Sequence, residues 1–171
     1  TRVFDALKKI ISNKKVPYRE ISEGDTFSLS DGVQIVTLWP AKEFSSDDTN
    51  DYSMVQHLKL GEFDLLLTGD ITYQILNSLD FASPERSRRG LNLFEVVKLP
   101  HHGSKTGVDN STFEKINTSA AVISAGKNNP YHHPHPSVLS LLKKFGIEYK
   151  RTDKTGSIKI VTDGRTTKVV E

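Results

Sequence analysis

Three leucines, Leu65 to Leu67, run directly into Thr68-Gly69-Asp70, and the same arrangement returns at Leu99-Pro100-His101-His102-Gly103-Ser104. An apolar run that stops at a glycine-containing turn with a carboxylate or imidazoles reads as a strand handing polar side chains to the rim of a sheet. A third polar group, Tyr131-His132-His133-Pro134-His135-Pro136, occupies a proline-stiffened turn. Five of the six histidines lie in the last two groups. Aspartate and histidine are the ligands of hydrolytic zinc and manganese sites, so this clustering is the main pointer to function.

The segments between these groups set the architecture. Val3, Phe4, Leu7, Ile10 and Ile11 recur at helical spacing, which predicts an amphipathic helix over 2–14 closed by Pro17. Strands are expected at Tyr18–Ile21, Thr26–Leu29 and Val33–Leu38, with a turn at Ser30-Asp31-Gly32. A second hairpin is expected from Ser53–Leu60 and Phe63–Leu67 around Gly61-Glu62. Helices are expected at Thr72–Leu79, from an Asn110-Ser111 cap to about Asn117, and over Ser137–Phe145 with Gly146 as terminator. Further strands fall at Leu91–Leu99, Ala120–Ser124, Ile147–Lys150, Ser157–Val161 and Thr166–Val170. The sum is a single α/β domain covering residues 1–171.

Composition closes off other classes. A chain of 171 residues with 36% apolar and 26% charged residues can bury a core and is not a disordered tail. Its longest apolar runs are only a few residues, too short to span a bilayer. A net charge of +2 does not by itself imply a nucleic-acid partner, and the absence of cysteine excludes disulfides and thiolate metal sites. The opening Thr1-Arg2-Val3-Phe4-Asp5 has no initiator Met and no signal-peptide pattern, and reads as the interior of a longer protein.

Each polar group has a chemical and a plain reading. Gly69 allows a sharp turn that leaves Asp70 at a strand end, where a carboxylate can bridge two cations; the plain alternative is a cap for the helix starting near Thr72. Of His101 and His102, one ring can bind metal while the other hydrogen-bonds a phosphate or a carboxylate; the alternative is two surface histidines in a loop. Pro134 and Pro136 hold His133 and His135 extended and on the same side, presenting two imidazoles to a metal or an anion at reduced entropic cost. His132 falls out of that register, and His57 reads as a structural strand residue. Ser104, Lys105, Arg86, Arg88 and Arg89 are candidates for holding phosphates, although the plainer reading of the arginines is a solvated loop.

Taken in order, Asn50-Asp51-Tyr52-Ser53-Met54-Val55, Leu66-Leu67-Thr68-Gly69-Asp70, Lys98-Leu99-Pro100-His101-His102-Gly103-Ser104 and His133-Pro134-His135-Pro136 resemble the metallo-β-lactamase-fold domain of the ComEC competence (DNA internalisation) family. Arg151-Thr152-Asp153-Lys154-Thr155-Gly156 resembles that family's approach to its closing strands. The resemblance implies an αββα sandwich with a two-metal zinc or manganese site at one edge and hydrolysis of a phosphodiester. It makes Asp70 the bridging carboxylate and one of His101 and His102 a ligand of the second metal. His133 and His135 then line the substrate side as phosphate contact or proton donor. The family's H-x-D-x-D-H motif is absent from the 171 residues, so the resemblance is to the domain without its N-terminal part, and metal coordination is expected to be incomplete.

Three functions follow as expectations. The leading one is part of a metal-dependent phosphodiesterase, a DNA nuclease of DNA uptake, inactive as this isolated chain. Its partners would be DNA and a membrane-channel portion of the parent protein, on the extracytoplasmic face if the domain is a true member of that family and in the cytoplasm otherwise, with pairing to a second copy through exposed apolar surface. A second keeps the fold and takes small phosphoesters such as phosphocholine esters; the third is a non-catalytic binding module.

Overall fold

The structure, a computed structural model, describes residues 2–81 and 93–170. The apolar runs become strands in the predicted order. β1 (Thr26–Ser28), β2 (Gln34–Trp39), β3 (Val55–Leu60) and β4 (Phe63–Leu67) form an antiparallel meander. β5 (Phe94–Lys98), β6 (Thr118–Ile123) and β7 (Glu148–Arg151) then join β4 in parallel, giving a mixed sheet of seven strands in chain order among the described residues. Leu65 pairs with Val96, Val96 with Ala120 and Ala120 with Glu148, so the carboxyl ends of four strands finish level with one another.

Parallel neighbours need crossovers, and these carry helices. α2 (Tyr73–Ser78) follows β4, α3 (Asn110–Ile116) follows β5 and α4 (Pro136–Lys144) follows β6. Right-handed crossovers that advance in one direction leave their helices on the same side of the sheet. One core forms there: Leu76 of α2, Phe113 and Ile116 of α3, and Val138 and Leu142 of α4 pack with Leu66, Val97 and Ile123 of the strands. β8 (Lys159–Thr162) and β9 (Thr167–Val170) form a separate antiparallel pair beyond the one-turn α5 (Thr152–Thr155), with Val169 lining a cavity together with Val96, Ala120 and Val122 of the large sheet. The turn of this pair docks on the β3–β4 turn, where Glu62 N–H donates to the Gly164 carbonyl at 2.6 Å.

Some local expectations shift. The segment Tyr18–Ile21 pairs with no described strand. α3 is capped by Asp109 rather than Asn110: Asp109 Oδ1 accepts the Thr112 N–H and hydroxyl, both at 2.8 Å, while Thr112 Oγ1 accepts the Asp109 N–H. α1 (Arg2–Asn13) forms as expected, yet none of its residues is buried. No helix among the described residues is long and apolar enough to cross a membrane.

Candidate functional site

In an open sheet, ligands gather outside the carboxyl ends of parallel strands, where loops diverge and backbone groups are free to point outward. Here β4 ends at Thr68-Gly69-Asp70, β5 runs into Leu99 to Ser104, and β6 leads into the 124–136 loop. These three connections hold Asp70, His101, His102, His133 and His135. The structure thus draws the three polar groups of the sequence to one rim, whereas Arg86, Arg88 and Arg89 lie outside the described residues.

Asp70 is not a helix cap. Thr72 occupies the cap position of α2, leaving the carboxylate half-exposed at the strand end. Its backbone is held from below: the Asp70 N–H donates to Ser53 Oγ at 3.1 Å, and Thr72 Oγ1 donates to Asp51 Oδ1 at 2.8 Å. The Asn50-to-Ser53 motif is therefore a bracket for the Gly69-Asp70 turn. Gly69 is required there, since it has φ +57° and a Cβ would sit 2.8 Å from that of Ser53.

His101 and His102 both adopt left-handed backbone conformations, φ 47° and 56°. For non-glycine residues this costs on the order of 1 kcal/mol each and persists only where the surroundings impose it. The constraints are visible: His101 N–H donates to the Gly69 carbonyl at 3.1 Å, and Ser104 N–H to the His101 carbonyl at 2.8 Å. The outcome is that His102 faces Asp70, with Nε2 3.6 Å from Oδ1. Its Nδ1 lies 2.6 Å from the Ser124 carbonyl, an acceptor only, which assigns a ring proton to Nδ1 and turns Nε2 toward the carboxylate. His101 turns inward instead, and its Nδ1 is buried with no hydrogen-bond partner among the described residues.

His133 completes the cluster. Its ring meets that of His101 edge to face, with centroids 5.7 Å apart. Burial, followed by repulsion from His101, His102 and His135, holds its pKa below the ordinary histidine value, against a smaller opposing pull from Asp70. The neutral imidazole of His133 is thereby favoured. His135 sits at the rim of this group and has a second task. Its Nδ1 accepts the Ser137 N–H at 3.3 Å, capping α4 and placing its own proton on Nε2. Gly103, with φ +79°, lets the two loops touch, since a Cβ would lie 2.7 Å from that of Pro134.

Other candidates fall differently. Lys105 is exposed, while Ser104 is buried with Oγ 3.0 Å from Thr106 Oγ1, inside the turn. His132 is exposed, and His57 is a structural residue, its Nε2 2.5 Å from the buried Asp64. A residue given no role by sequence reasoning also belongs here. Lys98 donates from Nζ to the Gly69 carbonyl at 3.2 Å; burial lowers its pKa and the neighbouring Asp70 partly restores it. Only its place immediately before Leu99-Pro100-His101-His102 signalled it.

Metal chemistry is the use such a set invites. Among the described residues no three histidine, aspartate or glutamate side chains are grouped to hold one ion. Asp70 and His102 offer two donors, one of them oriented by a backbone carbonyl, which is part of a coordination sphere and not the whole of it. The residues present do not by themselves fit a two-metal site.

The fold and rim thus define a mixed α/β protein with an Asp–His cluster at the carboxyl ends of its parallel strands. No family model matches the chain. It is similar to ComE operon protein 3 of Bacillus subtilis (strain 168), 33% identical over 148 residues, which is 84% of this chain and 17% of that protein. It is also 33% identical over 129 residues to competence protein ComA of Neisseria gonorrhoeae, covering 75% of this chain and 18% of the relative. Recombination protein 2 of Haemophilus influenzae is 31% identical over 111 residues, 65% of this chain. These matches point to the ComEC-related competence and DNA-uptake family, and the chain spans less than a fifth of the length of the first two relatives.

Proposed function

We propose that this chain is the C-terminal portion of a metallo-β-lactamase-like αββα domain in a competence protein. In the parent it would supply one side of a metal-dependent phosphodiesterase site acting on DNA during uptake. The observation that carries the reading is the convergence of Asp70, His101, His102 and His133 at one strand-end rim, in a chain similar to ComE operon protein 3 and to a protein named for competence. DNA is then the substrate, and a membrane-channel segment of the parent its neighbour. Zinc or manganese would need further ligands from outside the residues described here.

Each residue has work that follows from its surroundings. Asp70 and His102 are the ligand pair, and His102 is preferred over His101 because its Nε2 faces the carboxylate. His133 and His135 face the phosphate. An incoming anion offsets the repulsion that His133 feels from neighbouring rings, raising its proton affinity as substrate binds. A proton taken up on the phosphate's arrival is then available to the leaving oxygen. His135 donates from Nε2 and stays fixed by its cap. Lys105 contributes charge at the rim, and Arg86, Arg88 and Arg89 remain candidates for phosphate contacts.

The test is cleavage by the parent protein with manganese or zinc, on single-stranded and duplex DNA beside a small choline phosphodiester. DNA cleavage is expected, with Asp70→Ala lowering it more than about 100-fold, since even groups that only orient ligands cost about 10–100-fold. Hydrolysis of the small ester alone would overturn the DNA reading.

A further inference from the structure

The 126–136 loop carries one aromatic side chain that the chemistry above does not use. Tyr131 is 75% exposed, among the most exposed large hydrophobic side chains described. It is nonetheless ordered against the site, its ring nearly parallel to that of His133, with centroids 5.8 Å apart and planes 25° apart. One face is therefore committed to an imidazole of the rim and the other is open to solvent.

The loop beneath it is built to hold that pose. Asn129 Nδ2 donates to the Gly126 carbonyl at 2.9 Å and to the His133 carbonyl at 2.7 Å, while Asn129 Oδ1 accepts the His133 N–H at 2.9 Å. The His132 N–H donates to the Asn129 carbonyl at 3.2 Å, and the His135 N–H ties the far end of the loop to the Gly103 carbonyl at 2.9 Å. A large aromatic held in place before any ligand arrives forfeits little entropy on binding.

We propose that Tyr131 is a stacking platform for an unpaired nucleobase, adjoining the phosphate-facing His133, so that the site takes single-stranded nucleic acid in preference to duplex. The inference rests on the phosphodiesterase reading and names the form of its substrate. In a duplex both faces of every internal base are already stacked, and only a strand with a free base can lay a ring on Tyr131 while its phosphate reaches His133. Any base suffices, because every base has a π-face.

The experiment is fluorescence anisotropy of the 171-residue chain with labelled oligothymidylate, an abasic oligomer of equal length and a duplex. Native protein should bind oligothymidylate about tenfold more tightly than the abasic oligomer. Tyr131→Ala should remove that preference and leave abasic and duplex binding unchanged, while Tyr131→Phe and Tyr131→Trp should retain it. Circular dichroism of each variant guards against loss of fold. Equal affinity for thymidylate and abasic strands in native protein, or a preference that survives Tyr131→Ala, would overturn the platform and leave the phosphodiesterase reading standing. Loss in Tyr131→Phe would assign the effect to the hydroxyl and overturn it too. Binding to none of the three would overturn the platform and remove the support for DNA as ligand.

Discussion

Two His–Asp pairs stand on this sheet, and they are opposites. His57 Nε2 is 2.5 Å from Asp64 Oδ1, and the Asp64 side chain is 1% exposed. The Asp64 N–H donates to Glu95 Oε2 at 2.6 Å, Lys59 Nζ lies 3.7 Å from its carboxylate, and Phe94 packs edge-on against the imidazole. At the strand-end rim, His102 and Asp70 are 3.6 Å apart and each more than 40% exposed. The same two residue types thus make a closed pair that ties three strands together and an open pair whose remaining valences face solvent. Separation and burial, rather than identity, divide structure from chemistry.

The largest expected effect sharpens that division through stability. Asp64→Ala leaves a histidine without its buried counterpart and should cost about 3 kcal/mol in urea unfolding. Asp70→Ala removes a solvated carboxylate and should stay within about 0.5 kcal/mol of the native chain. Equal losses would erase the distinction between the two pairs.

A smaller effect concerns protons. His133 should titrate below the usual histidine range in an NMR pH series, and Asp70→Asn should lower it further, since Asp70 is its one opposing charge among the causes identified. A histidine whose pKa is lower folded than unfolded leaves the unfolded chain holding more protons between the two values. The stability contributed by neutral His133 is therefore present above about pH 6.5, the ordinary histidine pKa, and falls as pH drops through that window. A His133 midpoint at or above the unfolded value would contradict the crowding of rings at the rim.

Much of this rim is legible in the sequence, because it depends on local rules. A leucine run stopped by Thr68-Gly69-Asp70 reads as a strand ending at the rim of a sheet, and prolines flanking His135 stiffen whatever they hold. What escapes is non-local. The bracket of Ser53 on Asp70 joins residues 17 apart, and the carbonyl that assigns the His102 proton comes from Ser124, 22 residues away. Asp64 reads as a polar interruption of a strand until its burial is known. Conversely, Tyr18–Ile21 has strand-like composition, but a strand needs a neighbour and none of the described ones pairs with it. The cap of α4 by His135 was equally hidden, since a histidine seldom fills the place of Ser, Thr, Asp or Asn.

The central claim, that the open pair is the ligand-facing one, is tested most directly by the histidine ring resonances of the chain during addition of Mn²⁺. Paramagnetic broadening should strike His102 first and His101 and His133 next, leave His57 sharp, and disappear in Asp70→Ala. Broadening of His57 ahead of His102, or a response indifferent to Asp70, would contradict the account.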